Sequence, residues 1–260
     1  MADQARFITI AFSHYCEKVR WALDRLAVPY REESHLPILH RRASRGIGGG
    51  NTVPVLKIDG KILSDSTDIL KEIDRRAPEG ARLYPSAPEL RRECEALEEQ
   101  FDEKLGPATR RLVYFHLLPH RSLLMKLIQA SGPGWQVAIV RTMFPVVRTI
   151  MQKGMNITPE TSARSSARID EIFKQVGERL SDGRRYLIGD TFTAADLTFA
   201  ALAAPVVYPA AYGFPMPPLE EVPVALREII ETLRATPAGR FALRLYEEER
   251  GRVVGLAKVA

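Results

Sequence analysis

Three short stretches within the first seventy residues carry groups able to do chemistry together: Ser13, the run Thr52-Val53-Pro54, and the pair Asp65-Ser66. Ser13 lies where an uncharged run rich in β-branched and aromatic residues, Phe7 to Phe12, gives way to a helical pattern. A helix start presents unpaired N–H groups and a partial positive charge, so a serine hydroxyl there completes a small site for an anion. Its competing role is that of a plain N-cap, the usual one for an isolated serine at such a junction. At Val53-Pro54 the proline opens a strand without donating to the sheet ladder. A cis bond ahead of it, adopted by roughly one X–Pro bond in twenty, would turn the Val53 N–H and C=O outward to pair with an extended peptide. Asp65 can hold a ligand ammonium while the Ser66 hydroxyl and N–H hold a carboxylate. The same pair is equally suited to capping a helix.

The elements that must position these groups follow from periodicity. After the strand at Phe7 to Phe12, Cys16, Val19, Leu23 and Leu26 share one side of a helix, with Glu17, Lys18, Arg20, Asp24 and Arg25 on the other. Tyr30 to Ser34 supplies a second strand, parallel to the first through a right-handed crossover. His35 to Asn51 is basic and glycine-rich and reads as a loop with at most one irregular helical turn. Val55 to Ile58 and Lys61 to Leu63 flank Asp59-Gly60, a strong hairpin signal, and Ser66 then opens a helix carrying Ile69, Leu70 and Ile73 on one face. The order is βαβ, loop, ββα within residues 1–80, followed by a proline- and glycine-rich linker at 81–88. Residues 89–260 are helical in pattern, with amphipathic runs at Glu89 to Leu105, Arg164 to Leu180 and Val222 to Thr236. Thr193 and Asp196 form a start signal ahead of the apolar run Leu197 to Val207, which reads as a central buried helix.

The chain has 260 residues, 45% apolar and 27% charged, enough for one large core or two smaller ones. Its net charge of +5 comes from scattered basic residues without a nucleic-acid-binding motif, so nucleic acid is not an expected partner. The two cysteines, Cys16 and Cys94, form no pairing framework or metal motif; a reducing compartment fits and no metal site is expected. The opening residues lack the apolar core of a signal peptide, which predicts a cytoplasmic protein. Leu197 to Leu219 is uncharged but holds five prolines, so a buried helix and a turn are expected there rather than a membrane span. Lys104 to Pro159 has eight Lys and Arg and no Asp or Glu, together with Trp135, Met143, Phe144 and Met151. A helical core with a solvated basic rim is the favoured reading over a segment lying on a membrane.

On FSHYCEKVRWAL at Phe12 to Leu23, TVPVL at Thr52 to Leu56, LSDSTDIL at Leu63 to Leu70 and YLIGDTFTAADL at Tyr186 to Leu197, the chain resembles the cytosolic glutathione transferase superfamily along essentially its whole length. The resemblance implies a thioredoxin-like domain followed by an all-helical domain, a homodimer, and glutathione bound as co-substrate between the domains. Ser13 matches the catalytic serine of the serine-type classes, of the theta, zeta and omega kind. Thr52, Val53 and Pro54 match the segment whose backbone pairs with the cysteinyl part of glutathione, and Asp65 and Ser66 the pair holding its γ-glutamyl end. Thr193 and Asp196 match a structural cap. His40, Arg41 and Asn51 are candidates for the glycyl carboxylate, in a loop that is longer than usual. The implied reaction adds the glutathione thiolate to a small apolar electrophile held against Phe12, Tyr114, Phe115 and Trp135. Glutathione-dependent isomerase, dehalogenase or peroxidase chemistry, or a non-catalytic scaffold role, stand as alternatives. Departures from related reductases are informative: Ser13-His14-Tyr15-Cys16 replaces Cys-x-x-Cys, so a dithiol mechanism is impossible. Cys16 is expected to be a packing residue, Tyr15 a second-choice donor to the thiolate, and His14 a rim histidine. The long Lys104 to Pro159 segment is expected to reshape or cover the second-substrate pocket.

Overall fold

The strand expected at Phe7 to Phe12 begins and ends earlier, as β1 (Ala5–Thr9), which takes in Arg6 and leaves Ala11 and Phe12 to the turn before the first helix. It is an interior strand of a four-stranded sheet in the computed structural model, which describes residues 4–255. β2 (Tyr30–Ser34) pairs with it in parallel, reached through helix α1 (His14–Arg25), with Phe7 opposite Glu32. β3 (Val55–Ile58) runs antiparallel on the other side of β1 and β4 (Lys61–Leu63) closes the sheet order β2-β1-β3-β4. Asp59 and Gly60 join the last two strands with φ of 47° and 75°, the paired positive values that a two-residue hairpin turn of right-handed twist requires. The loop expected at His35 to Asn51 contains a full helix, α2 (His40–Gly46), and α3 (Ser66–Asp74) follows the hairpin.

Helix α1 departs from its expected two-sided character. Glu17, Lys18, Arg20 and Arg25 are buried along with Cys16, Val19 and Leu23, because the helical half of the molecule covers the side that periodicity assigned to water. Burying charge demands counter-charge, and each ion has found one. Lys18 lies 2.8 Å from Glu98 and 2.6 Å from Asp102. Arg20 pairs with Glu17 (2.7 Å) and Glu32 (2.6 Å), Arg250 returns to Glu17 (2.7 Å), and Arg25 meets Glu249 (2.8 Å).

That helical half begins with α4 (Pro88–Gln100), which passes through one π-helical turn at Phe101–Leu105 into α5 (Gly106–Leu117). Three short helices follow, α6 (Arg121–Ser131), α7 (Gly134–Thr142) and α8 (Phe144–Gly154), then the long α9 (Pro159–Arg179). α10 (Ala194–Val207) is buried on nearly every side and packs on α1, α4, α5 and α12 (Pro237–Glu248), with α11 (Val224–Arg234) completing the layer. The expected turn after Val207 is present, opening at Tyr208 with φ of 49°. No helix among the described residues is long and apolar enough to cross a membrane.

The start of α10 is fixed by Asp196, which accepts hydrogen bonds from Thr193 N–H (2.8 Å), the Thr193 hydroxyl (2.7 Å) and Leu187 N–H (2.7 Å). Replacing it by Ala strands those buried donors, and Asp196→Ala is expected to cost about 2–4 kcal/mol in denaturant unfolding. Burial raises this carboxyl from 3.8 to about 6. A raised acid binds its proton more tightly in the folded state, so stability falls as pH climbs from the unfolded to the folded value. The stability of wild type relative to Asp196→Asn should therefore decline between pH 4 and about 6 and level off above, measured by urea unfolding across that range.

Candidate active site

The junction of β1 and α1 is built from backbone first. Ser13 N–H donates to Ile10 O (2.9 Å), turning the chain, and Ser13 O accepts from Glu17 N–H (2.8 Å), starting the helix. The Ser13 side chain is not used in this: it makes no capping hydrogen bond. It is half-buried and lines a cleft of about 420 Å³ between the sheet and the helical half. The hydroxyl reaches the Cys16 thiol within its own first turn and caps no backbone N–H. Beside the helix-start N–H groups of α1 it suits an anionic atom placed in that cleft.

The next two residues anchor the junction rather than act in it. His14, expected at the rim, is buried, with Nε2 donating to Gly106 O at 2.9 Å. Burial and then the neighbouring Arg110 charge push it down to about 3, so it stays neutral. Tyr15, the second-choice donor, gives its hydroxyl proton to Asp102 O (2.6 Å) and is engaged there, and burial raises its pKa further. Both acceptors lie in or beside the π turn, where the wider helical spacing frees carbonyls from the i→i−4 ladder. Gly106 has no room for a Cβ, which would overlap the Tyr15 hydroxyl. Cys16 is fully buried, its thiol raised to about 11 chiefly by burial, as befits packing rather than reaction.

The opposite wall comes from the α2 loop and β3. The Val53–Pro54 bond is cis. Val53 is half-buried with neither backbone group hydrogen-bonded among the described residues, and Pro54 is buried behind it. Asn51, Thr52 and Val53 line the cleft together with His40 and Arg41. His40 Nε2 holds the Asn51 carbonyl (3.1 Å), and Ser44 Oγ donates to Gly50 O (2.7 Å), so α2 fixes the path of this loop. Asp65 and Ser66 do not line the cleft. Asp65 is exposed and caps α3, accepting from Thr67 N–H (2.8 Å) and Asp68 N–H (3.1 Å), while Ser66 is buried. Beneath them Thr67 Oγ1 joins the Lys18, Glu98 and Asp102 group.

The rest of the cleft is apolar, with Leu117, Leu124, Met151 and Met216 among its walls. Phe12 and Tyr114 line it as expected; Phe115 does not, facing a separate groove with His116 and Pro223. Trp135 is also elsewhere, 57% exposed on α7. Sequence reasoning missed Arg110, which sits one helical turn before Tyr114 on α5 and lines the cleft with no ion pair or hydrogen bond among the described residues. Arg41 and Arg110 face no Asp or Glu in the lining, leaving the cleft electropositive. The acid-free stretch from Lys104 onward is the signal from which it could have been found.

Comparison with known proteins agrees with this construction. A family model described as glutathione S-transferase, N-terminal domain, matches residues 7–81, and one described as glutathione S-transferase, C-terminal domain, matches residues 159–232. Together they span more than half the chain and leave 82–158 unmatched, and the chain belongs to the cytosolic glutathione transferase superfamily. Similar solved structures include a glutathione S-transferase of Ceriporiopsis subvermispora in complex with glutathione, 17% identical over 95% of this chain and 98% of that one, with TM-score 0.63. Glutathione transferase F2 of Populus trichocarpa is 16% identical over 95% of each chain, TM-score 0.60. The β-etherase LigF of Sphingobium sp. strain SYK-6 is 17% identical over 93% of this chain and 99% of that one, TM-score 0.59. At these identities the likeness is one of fold. No curated protein sequence matches the chain.

Because the Ser13 hydroxyl caps nothing, Ser13→Ala is expected to leave unfolding free energy within about 0.5 kcal/mol of wild type. Gly106→Ala, which drives a methyl into Tyr15, should cost about 1–3 kcal/mol by the same denaturant measurement.

Proposed function

We propose that the chain binds glutathione as co-substrate with its sulfur at Ser13 and transfers the thiolate to a small, largely apolar electrophile held in the cleft. The observation that carries this reading is the Ser13 hydroxyl at the start of α1, which makes no capping hydrogen bond and lines a cleft that holds two unpaired arginines and no carboxylate. Val53, with its backbone groups unpaired, is assigned the cysteinyl N–H and C=O of glutathione. Asp65 and Ser66, at the start of α3 and outside the cleft lining, are assigned the γ-glutamyl end where it extends beyond the cleft, and His40, Arg41 and Asn51 border the glycyl end.

A free thiol has a pKa of about 8.5 and is mostly protonated at neutral pH. The Ser13 hydroxyl and the α1 N–H groups donate to the sulfur and so favour its anion. Arg110 lowers the local potential energy of negative charge without transferring a proton. The glutathione sulfur then forms the new bond to the electrophilic carbon, and the displaced electron pair leaves with the departing group or is protonated by water. Tyr15 has no part in this, since its proton is committed to Asp102 O.

The decisive measurement is the ultraviolet absorbance of bound glutathione thiolate against pH. Ser13→Ala is expected to raise the apparent thiol pKa by about one unit, equivalent to ~1.4 kcal/mol of lost anion stabilisation. Arg110→Gln should raise it by a smaller amount. Equal values in wild type and Ser13→Ala would reject Ser13 as the activating donor. Absence of calorimetric binding at millimolar glutathione would favour the scaffold alternative. A screen of aryl halides, aryl ethers, peroxides and enones separates conjugation from dehalogenase, ether-cleaving, peroxidase and isomerase chemistry.

A further inference from the structure

Helices α7 and α8 bury Gln136, Val140 and Phe144 against the rest of the protein. Their outward positions recur at helical spacing and are mainly apolar: Trp135, Ile139, Met143, Val146 and Ile150 are 57%, 40%, 49%, 49% and 45% exposed. Five of the nine large apolar side chains exposed among the described residues thus fall within one short helical hairpin, which is a patch rather than scatter. The hairpin lies in the stretch that neither family model matches.

The charge around it has one sign. Between Lys104 and Pro159 there are eight Lys and Arg and no Asp or Glu, and between His35 and Ile58 there are four and again none. The two acid-free stretches meet beside the hairpin, where Leu36 N–H donates to Gln136 Oε1 (2.8 Å) and Ser34 Oγ donates to Ser131 O (2.6 Å). Glu221, reaching in from outside, neutralises Lys126 (2.6 Å), while Arg141 and Lys153 stay exposed on the hairpin itself.

We propose that the α7–α8 face docks in the plane of an anionic lipid surface, with its apolar side chains at the headgroup–acyl boundary and Arg141 and Lys153 among the headgroups. At nine and eleven residues the helices are too short to span a bilayer but suit an interfacial position. A tryptophan at the edge of the apolar stripe fits the same boundary. A second copy of the chain docked face to face about a twofold axis would set these cations against their own images. Helix α8 also gives the docked face a purpose: Ile150 and Gly154 line the cleft, so a lipophilic compound dissolved in the bilayer reaches it along α8. Docking does not depend on glutathione binding.

The test is co-sedimentation with vesicles of phosphatidylcholine alone or with about one third phosphatidylserine. The fluorescence of Trp135 is read in parallel, since the other tryptophan, Trp21, is fully buried. Several-fold more protein is expected with the anionic vesicles, with a blue shift of emission and loss of binding in high salt. Ile139→Glu and Val146→Glu should abolish both signals without changing the melting temperature. Arg141→Gln with Lys153→Gln, which leaves the apolar stripe intact, should weaken binding to anionic vesicles only. Equal binding to both compositions, or binding untouched by these substitutions, would overturn the proposal. So would a Trp135 shift produced only by self-association or by an acidic polypeptide, with no protein on the vesicles.

Discussion

The fold depends on neutralising the charges buried along α1. Lys18, Glu17, Arg20 and Arg25 are taken out of water by the helical half of the chain, at a desolvation cost that only close, complete pairing offsets. The partners come from different places: Glu98 and Asp102 from the α4 region, Glu32 from β2, Glu249 and Arg250 from beyond α12. One helix is thereby held to the sheet and to the helical half at once. Its N-terminus carries Ser13, so the pairing that holds the two halves together also sets where a hydroxyl and a set of unpaired N–H groups face the cleft.

Local geometry refines what the ion pairs hold. The π turn between α4 and α5 frees carbonyls at Asp102 and beside it at Gly106, and these take the Tyr15 hydroxyl and the His14 ring. Three consecutive residues are thus divided in role: Ser13 has its side chain in the cleft lining, while His14 and Tyr15 are fastened to the opposite helix. A neutral, buried His14 supplies a hydrogen bond without adding a titrating charge beside the cleft at neutral pH.

Much of this was legible in the chain. Strand, crossover, hairpin and the α10 cap follow from short-range periodicity and turn chemistry, which tertiary structure had no reason to override. The cleft positions of Ser13, His40, Asn51, Thr52 and Val53 were legible too. What was not legible depends on contacts far apart in sequence. Helical spacing distinguishes apolar from polar faces but not a solvated charge from a paired one, so the charged side of α1 read as surface. His14 looked like a rim residue for the same reason, its partner Gly106 being 92 positions away. Trp135 and Phe115 read as pocket walls because large aromatics usually seek burial, whereas their helices turn them elsewhere. The Asp65 carboxylate caps α3, a role the pair Asp65-Ser66 allowed from the outset.

The strap formed by residues after α12 has a consequence for how the chain matures. Arg250 closes on Glu17 across 233 positions, Glu249 on Arg25 across 224, and Val254 N–H donates to Arg25 O (2.7 Å). On a ribosome, α1 emerges long before these partners exist, and its carboxylates and guanidinium groups rest in water until they arrive. Helix α1 therefore gains this covering only once residues 249–254 have been made, and the sheet-bearing half waits on a much later stretch of chain before its charges are closed off.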